Sequence, residues 1–142
     1  MDATRTGSML SAYTHTGLLL CSDLIFTIKV KGTAQALGYN LEIIGDVFRA
    51  KSAIETLHPR VIFIDLAAGK LSAPESLREY VRLAGPDVWF VAFGSHVEKE
   101  TLAEAKAAGC QVVLPRSKFA ANLPALMQMY YCQSPENSCQ TD

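Results

Sequence analysis

The sequence predicts an α/β fold: a single doubly wound five-stranded parallel sheet with helices on both faces. Three observations predict it. Short, wholly apolar, β-branched runs such as Val61-Ile62-Phe63-Ile64 read as strands buried on both faces. Five such runs alternate with segments of helical apolar spacing, the pattern of successive strand–helix–strand units. At 142 residues, with 49% hydrophobic and 19% charged residues, the chain can bury one real core and is too short for two ordinary domains.

Residues 1–16 are small and polar without periodicity and are expected to form a flexible leader. Leu18 to Cys21 is the first strand. Ser22 or Asp23 then caps a helix in which Phe26, Val30, Thr33 and Leu37 recur at helical spacing and Gly38 supplies the stop. Leu41 to Ile44 is the second strand, closed by Gly45-Asp46. Phe48 through Leu57 follows as a helix with Ala50, Ile54 and Leu57 on one face, terminated at His58-Pro59. After the Val61–Ile64 strand, Leu66 to Lys70 reads as a loop, and a helix runs from about Pro74 to Leu83, proline suiting the first turn. Gly85-Pro86-Asp87 is a turn and Val88 to Phe93 the fourth strand. Glu98 to Ala108 is a helix stopped by Gly109, Val112 to Leu114 the fifth strand. Phe119, Leu123, Leu126 and Tyr130 mark one last amphipathic helix. This places the domain over residues 17–131, with a flexible tail over 132–142, and leaves no room for an effector or DNA-binding domain.

A formal net charge of -1 provides no excess of base for a polyanion, which disfavours nucleic acid as a partner. No segment reaches the roughly 18 apolar residues that span a bilayer. Leu18 to Cys21 is shorter than the about 7 to 15 residues of a signal-peptide core, so a cytoplasmic protein is expected. The four cysteines, Cys21, Cys110, Cys132 and Cys139, show no metal-ligand spacing. Cys21 and Cys110 read as small buried hydrophobes. Cys132 and Cys139 fall in the polar tail, where a disulfide and, in a cytosolic chain, reduced thiols are both open.

The chemistry centres on Asp65. An acid on the last residue of a buried parallel strand faces the crevice outside the carboxyl edge of the sheet, where open α/β folds place ligands. One reading is a clamp across that crevice with Arg116 or Lys118, and Arg116 fits it better because guanidinium grips a carboxylate as a planar fork. Ser22 and Asp23 serve either as a helix cap or as part of a polar cluster with Asp65. His96 follows Gly94-Ser95, yet nothing in the spacing supplies the third group or the oxyanion hole of a hydrolase. His15 lies in the leader and His58 before a proline; neither reads as a ligand. A mononucleotide site would want a glycine-rich first turn, and Cys21-Ser22-Asp23-Leu24 has none.

The run Pro59-Arg60-Val61-Ile62-Phe63-Ile64-Asp65-Leu66 resembles the strand that bears the phosphoacceptor aspartate in receiver domains of bacterial response regulators. The run Glu100 to Cys110 resembles the fourth helix of that family and the small-residue turn after it. The resemblance covers residues 17–131 and implies a flavodoxin-like sheet of strand order 2-1-3-4-5. It implies that Asp65 is the phosphoacceptor equivalent and that Ser22 and Asp23 stand where the family carries two acids for Mg2+, so that Asp23 and Asp65 are the candidate metal ligands. The switch hydroxyl falls at Gly94, with Ser95 as near substitute, and the lysine–proline pair is replaced by Arg116 and Ser117. Three of five signature positions depart, a pattern similar to pseudo-receivers.

The functional expectation is a stand-alone degenerate receiver, not an enzyme and requiring no cofactor, that docks onto a protein partner in two-component signalling. The alternative is an active single-domain response regulator phosphorylated on Asp65 with Mg2+ by a histidine kinase. The resemblance implies that the fourth helix, fifth strand and last helix form the interaction face toward a kinase, a downstream regulator or a second copy of the chain. Phe93, Val97, Met127, Met129, Tyr130 and Tyr131 are candidates for apolar contacts there. Tyr130 fits the core better, and Met127 and Met129 cannot both face inward on one helix.

Overall fold

The computed structural model describes residues 16–133 and Pro135. Most of the expected leader, with His15, and most of the expected tail, with Cys139, lie outside the described residues. Five parallel strands, β1 (Thr16–Leu20), β2 (Asn40–Ile44), β3 (Val61–Asp65), β4 (Trp89–Gly94) and β5 (Val112–Pro115), form one sheet in the order β2-β1-β3-β4-β5. Helices α1 (Leu24–Leu37), α2 (Val47–Leu57), α3 (Pro74–Ala84), α4 (Lys99–Ala108), α5 (Arg116–Ala121) and α6 (Leu123–Cys132) cover its two faces. The fold class is as the sequence predicts, and the strand order is the one the resemblance implies.

Alternation along the strands divides the core in two. Leu18, Leu20, Ile62, Ile64, Phe90 and Ala92 point to one face, against Ala50 and Ile54 of α2, Leu77 and Tyr80 of α3, and Ala105 and Ala108 of α4. Leu19, Val61, Phe63, Val91 and Phe93 point to the other, against Val30 and Ala34 of α1, Phe119 of α5, and Leu123, Met127 and Tyr131 of α6. The first helix begins and ends on its expected caps, and Asp46, expected only to close the second strand, caps α2. Asp23 accepts from the Phe26 amide and Asp46 from the Arg49 amide, while Gly38 closes α1 at φ 82°.

Three departures have local causes. The expected single last helix is two, broken at Asn122. Pro124 has no amide to continue the ladder, and its ring would strike the carbonyl one turn earlier, so a new helix starts there. The first of the two begins at Arg116, directly after the strand, so a site position opens a helix. Finally, the loop after β3 contains a 3-10 turn over Gly69–Ser72, held by Tyr80 donating to the Leu71 carbonyl at 2.8 Å.

The apolar face expected around α4, β5 and the last helix is corrected as well. Phe93, Met127 and Tyr131 are fully buried, and Tyr130 is buried, as the core reading has it. Of the six candidates only Val97 and Met129 are exposed. Cys132, expected in the tail, ends α6, where its sulfur lies 3.5 Å from the Tyr39 hydroxyl. At the amino edge of the sheet Trp89 packs on Tyr130 and donates its indole N–H to the Gln133 carbonyl at 2.6 Å. Among the described residues no helix is long and apolar enough to cross a membrane.

Tyr131 reaches across β1 to donate to the Asn40 carbonyl of β2 at 2.8 Å. Only a glycine at position 17 allows this path, since a β-carbon there would stand 2.5 Å from the phenol oxygen. Gly17→Ala is therefore expected to lower stability by about 1–3 kcal/mol through overpacking, read as a lower urea midpoint with an unchanged slope.

Candidate functional site

The carboxyl edge of the sheet brings the site together. Strand β3 ends on Asp65, and its neighbour β1 runs in register with it, Leu20 opposite Ile64. The residue after β1, Cys21, thus stands level with Asp65, and its thiol lies 3.2 Å from Asp65 Oδ2. On the other side β4 pairs with β5, Gly94 opposite Pro115, so the next residue, Arg116, enters the same crevice from the start of α5. Its Nη2 meets Asp65 Oδ1 at 2.7 Å, and the Ala67 amide donates to the same oxygen at 2.9 Å.

Asp65 is 2% exposed. Its carboxylate accepts from a guanidinium, a backbone amide and a thiol, so both oxygens are engaged. A buried carboxylate requires such compensation, because desolvating an unpaired charge costs several kcal/mol. Two rings flank the cation: Arg116 Cζ sits 5.0 Å from the Phe26 ring centre and 5.4 Å from that of Phe93. Phe93 in turn stacks on Phe119 at 4.2 Å. The clamp between Asp65 and Arg116 is the geometry that the sequence favours; Lys118 is exposed instead.

The other expected site residues lie around this crevice in different roles. Asp23 is exposed, and its carboxylate caps α1 through the Phe26 amide at 3.2 Å. Ser22, Ser117 and His96 are exposed. Ser95 accepts from the Val97 amide at 3.4 Å, a local turn contact. Gly94 is buried, and a β-carbon on it would lie 3.2 Å from the β-carbon of Leu66 and 3.5 Å from Leu102. Any side chain at that position requires Leu66 to give by a few tenths of an ångström. Among the described residues no three His, Cys, Asp or Glu side chains gather as a metal would need.

Cys21 and Phe26 take part without having been singled out by sequence. The signal for Cys21 was present: it closes β1 as Asp65 closes β3, and adjacent parallel strands bring such residues side by side. Burial pushes its thiol up to about 12, and the neighbouring Asp65 carboxylate adds to the effect. The thiol is therefore a neutral donor at physiological pH. It can hydrogen-bond Asp65 without adding charge to the crevice.

Comparison with known proteins identifies the same fold. No family model matches the chain, and no curated protein matches its sequence. Among solved structures it is similar to the receiver domain of a sensor histidine kinase from Pseudomonas aeruginosa, which carries a magnesium ion in its active-site cleft. That match has a TM-score of 0.70 and 18% identity, covering 82% of this chain and 97% of that one. A CheY-like receiver domain from Methanospirillum hungatei matches with a TM-score of 0.71 and 16% identity, covering 82% and 92%. The beryllofluoride-activated NtrC4 receiver domain dimer matches at 0.66 and 16%, covering 82% and 98%. The fold is that of receiver domains.

Arg116→Ala leaves Asp65 buried without its cation and is expected to cost roughly 3–5 kcal/mol in urea unfolding at neutral pH, with Arg116→Lys restoring only part. Cys21, Cys110 and Tyr80 all titrate near 12 in the folded chain, against ordinary values of 9.0 for the thiols and 10.0 for the phenol. The unfolded chain releases these protons first. Their stabilising contribution is thus complete below about pH 9 and is lost as pH rises toward 12, visible as alkaline unfolding. Consistent with this, iodoacetamide in mild alkali should label exposed Cys132 and spare Cys21 and Cys110 until the chain unfolds, as peptide mass mapping would show.

Proposed function

We propose that this protein is a degenerate receiver: a signalling module that presents one fixed surface to a protein partner rather than switching on phosphorylation. One observation carries the proposal, the engagement of both Asp65 oxygens by Arg116, Ala67 and Cys21. An aspartate that accepts phosphate needs a free oxygen to attack with, a divalent cation to neutralise the incoming group and a cation to hold the product. Here the cation already holds the carboxylate itself.

The donor set does not fit Mg2+. A hard cation is bound through oxygen ligands, and carboxylate charge supplies much of its affinity. The position beside Asp65 carries the Cys21 thiol, and the nearest expected acid, Asp23, caps a helix. The partner is a protein component of two-component signalling, a reading that rests on the sensor-kinase and response-regulator proteins among the similar structures. The module acts by binding and catalyses nothing.

The competing reading is a live response regulator phosphorylated on Asp65. Its one structural support is that the Arg116 side chain is 32% exposed, which leaves it room to swing outward. Incubation with acetyl phosphate and Mg2+ followed by intact-mass measurement separates the two. The locked reading expects no phosphoryl adduct on the natural chain. A stoichiometric adduct that disappears in Asp65→Asn would overturn it.

A further inference from the structure

At the amino edge of the sheet, opposite the Asp65 crevice, a cleft of about 450 Å3 opens between the ends of α2 and α3. That lies within the roughly 300–1,000 Å3 of small-molecule sites. Ile54 of α2, Leu83 of α3 and Val88, just before β4, give it an apolar wall. Three charged residues, Glu55, Arg60 and Asp87, share it with His58 at the end of α2.

Arg60 is fixed by the sheet. Its amide donates to the Thr16 carbonyl at 2.8 Å, and its carbonyl accepts from the Trp89 amide at 3.0 Å. A backbone held on both sides presents its side chain without an ordering cost at binding. Val61 faces the α1 side of the sheet, so Arg60, one residue earlier, faces the α2–α3 side. Its guanidinium is nevertheless unsatisfied: Nε is out of reach of water and has no acceptor. Among the described residues it forms no ion pair, although two carboxylates line the same cleft. A guanidinium cannot shed its proton to escape burial, and leaving one without an acceptor costs stability. Buried donors in native chains are otherwise nearly always paired.

The surrounding charge says what would satisfy it. Two carboxylates and two helix C-termini, each with the partial negative charge of free carbonyls, share the cleft with one guanidinium. A simple anion would pair with Arg60 but meet that negative excess. A simple cation would suit the carboxylates and leave Arg60 as it is. A molecule with both charges answers both. Val61 stands opposite Trp89, so Arg60 and Asp87 come close together on adjacent chains, which suits the short span between the two ends of an α-amino acid. Glu55 is partly neutralised by exposed Arg82, which leaves Asp87 as the carboxylate for an ammonium.

We infer that this cleft binds a free α-amino acid with an apolar side chain: Arg60 takes its carboxylate, Asp87 its ammonium, and Ile54, Leu83 and Val88 its side chain. The inference does not rest on the locked-receiver reading, and no variant in its test touches Asp65.

Proton–nitrogen correlation NMR of the full chain, titrated with L-leucine and with L-phenylalanine, tests it. At least one of them is expected to bind saturably at about 1 mM or tighter. The largest shifts are expected at the amides of Glu55, Arg60 and Val88 and at the Arg60 Nε–H. Isocaproate lacks the ammonium of leucine and isoamylamine its carboxylate; both, and inorganic phosphate, should bind about tenfold or more weakly. Arg60→Met and Asp87→Asn should each weaken amino-acid binding by about tenfold or more, through loss of one charged contact. Arg60→Met should also leave the urea midpoint in place, because the guanidinium has no ion pair to lose. Should it fail to fold, Asp87→Asn, in an exposed turn, decides. No saturable shift with either amino acid would overturn the inference. So would equal binding of isocaproate, isoamylamine or phosphate, the mark of a site for one charge only, or undiminished binding in the folded variants.

Discussion

The carboxyl edge of this molecule is organised by one buried charge. Asp65 lies at the end of the most deeply buried strand, and a carboxylate there survives only if donors surround it. The guanidinium of Arg116, the amide of Ala67 and the thiol of Cys21 come from three different segments, so satisfying one side chain ties the ends of β1, β3 and β5 together. Arg116 is in turn held by Phe26 on α1 and Phe93 on β4. Four of the five strand-to-helix junctions thus converge on one ion pair, and the aromatic layer beneath it continues through Phe119 and Phe63 into the core.

That arrangement explains why the departures from the receiver pattern fit one another. With a neutral thiol beside Asp65 there is one negative charge in the crevice, and one guanidinium balances it. Two acids would require a divalent cation; a thiol and an arginine do not. Gly94 fits the set, because a β-carbon there would stand 3.2 Å from the β-carbon of Leu66, closer than ordinary contact.

Much of this was legible in the sequence. The buried strands announced themselves as apolar runs, the caps at Asp23 and Gly38 as residues whose chemistry suits helix ends, and the Asp65–Arg116 pair as opposite charges at the edges of two strands. What stayed hidden depends on lateral register or on long-range packing. Cys21 looks like any small hydrophobe until β1 is laid beside β3. Phe93, Met127 and Tyr131 look like surface candidates until α5 and α6 fold over the sheet and bury them. The break at Asn122 was encoded in Pro124, but the amphipathic spacing runs through it, and periodicity alone does not register a missing amide.

The single tryptophan of the chain has a consequence of its own. Trp89 begins β4, at the opposite end of the strand from the Asp65 crevice, and its indole is wedged against Tyr130 with its N–H tethered to Gln133. Its fluorescence therefore serves as a built-in optical gauge of how firmly α6 is seated on the sheet.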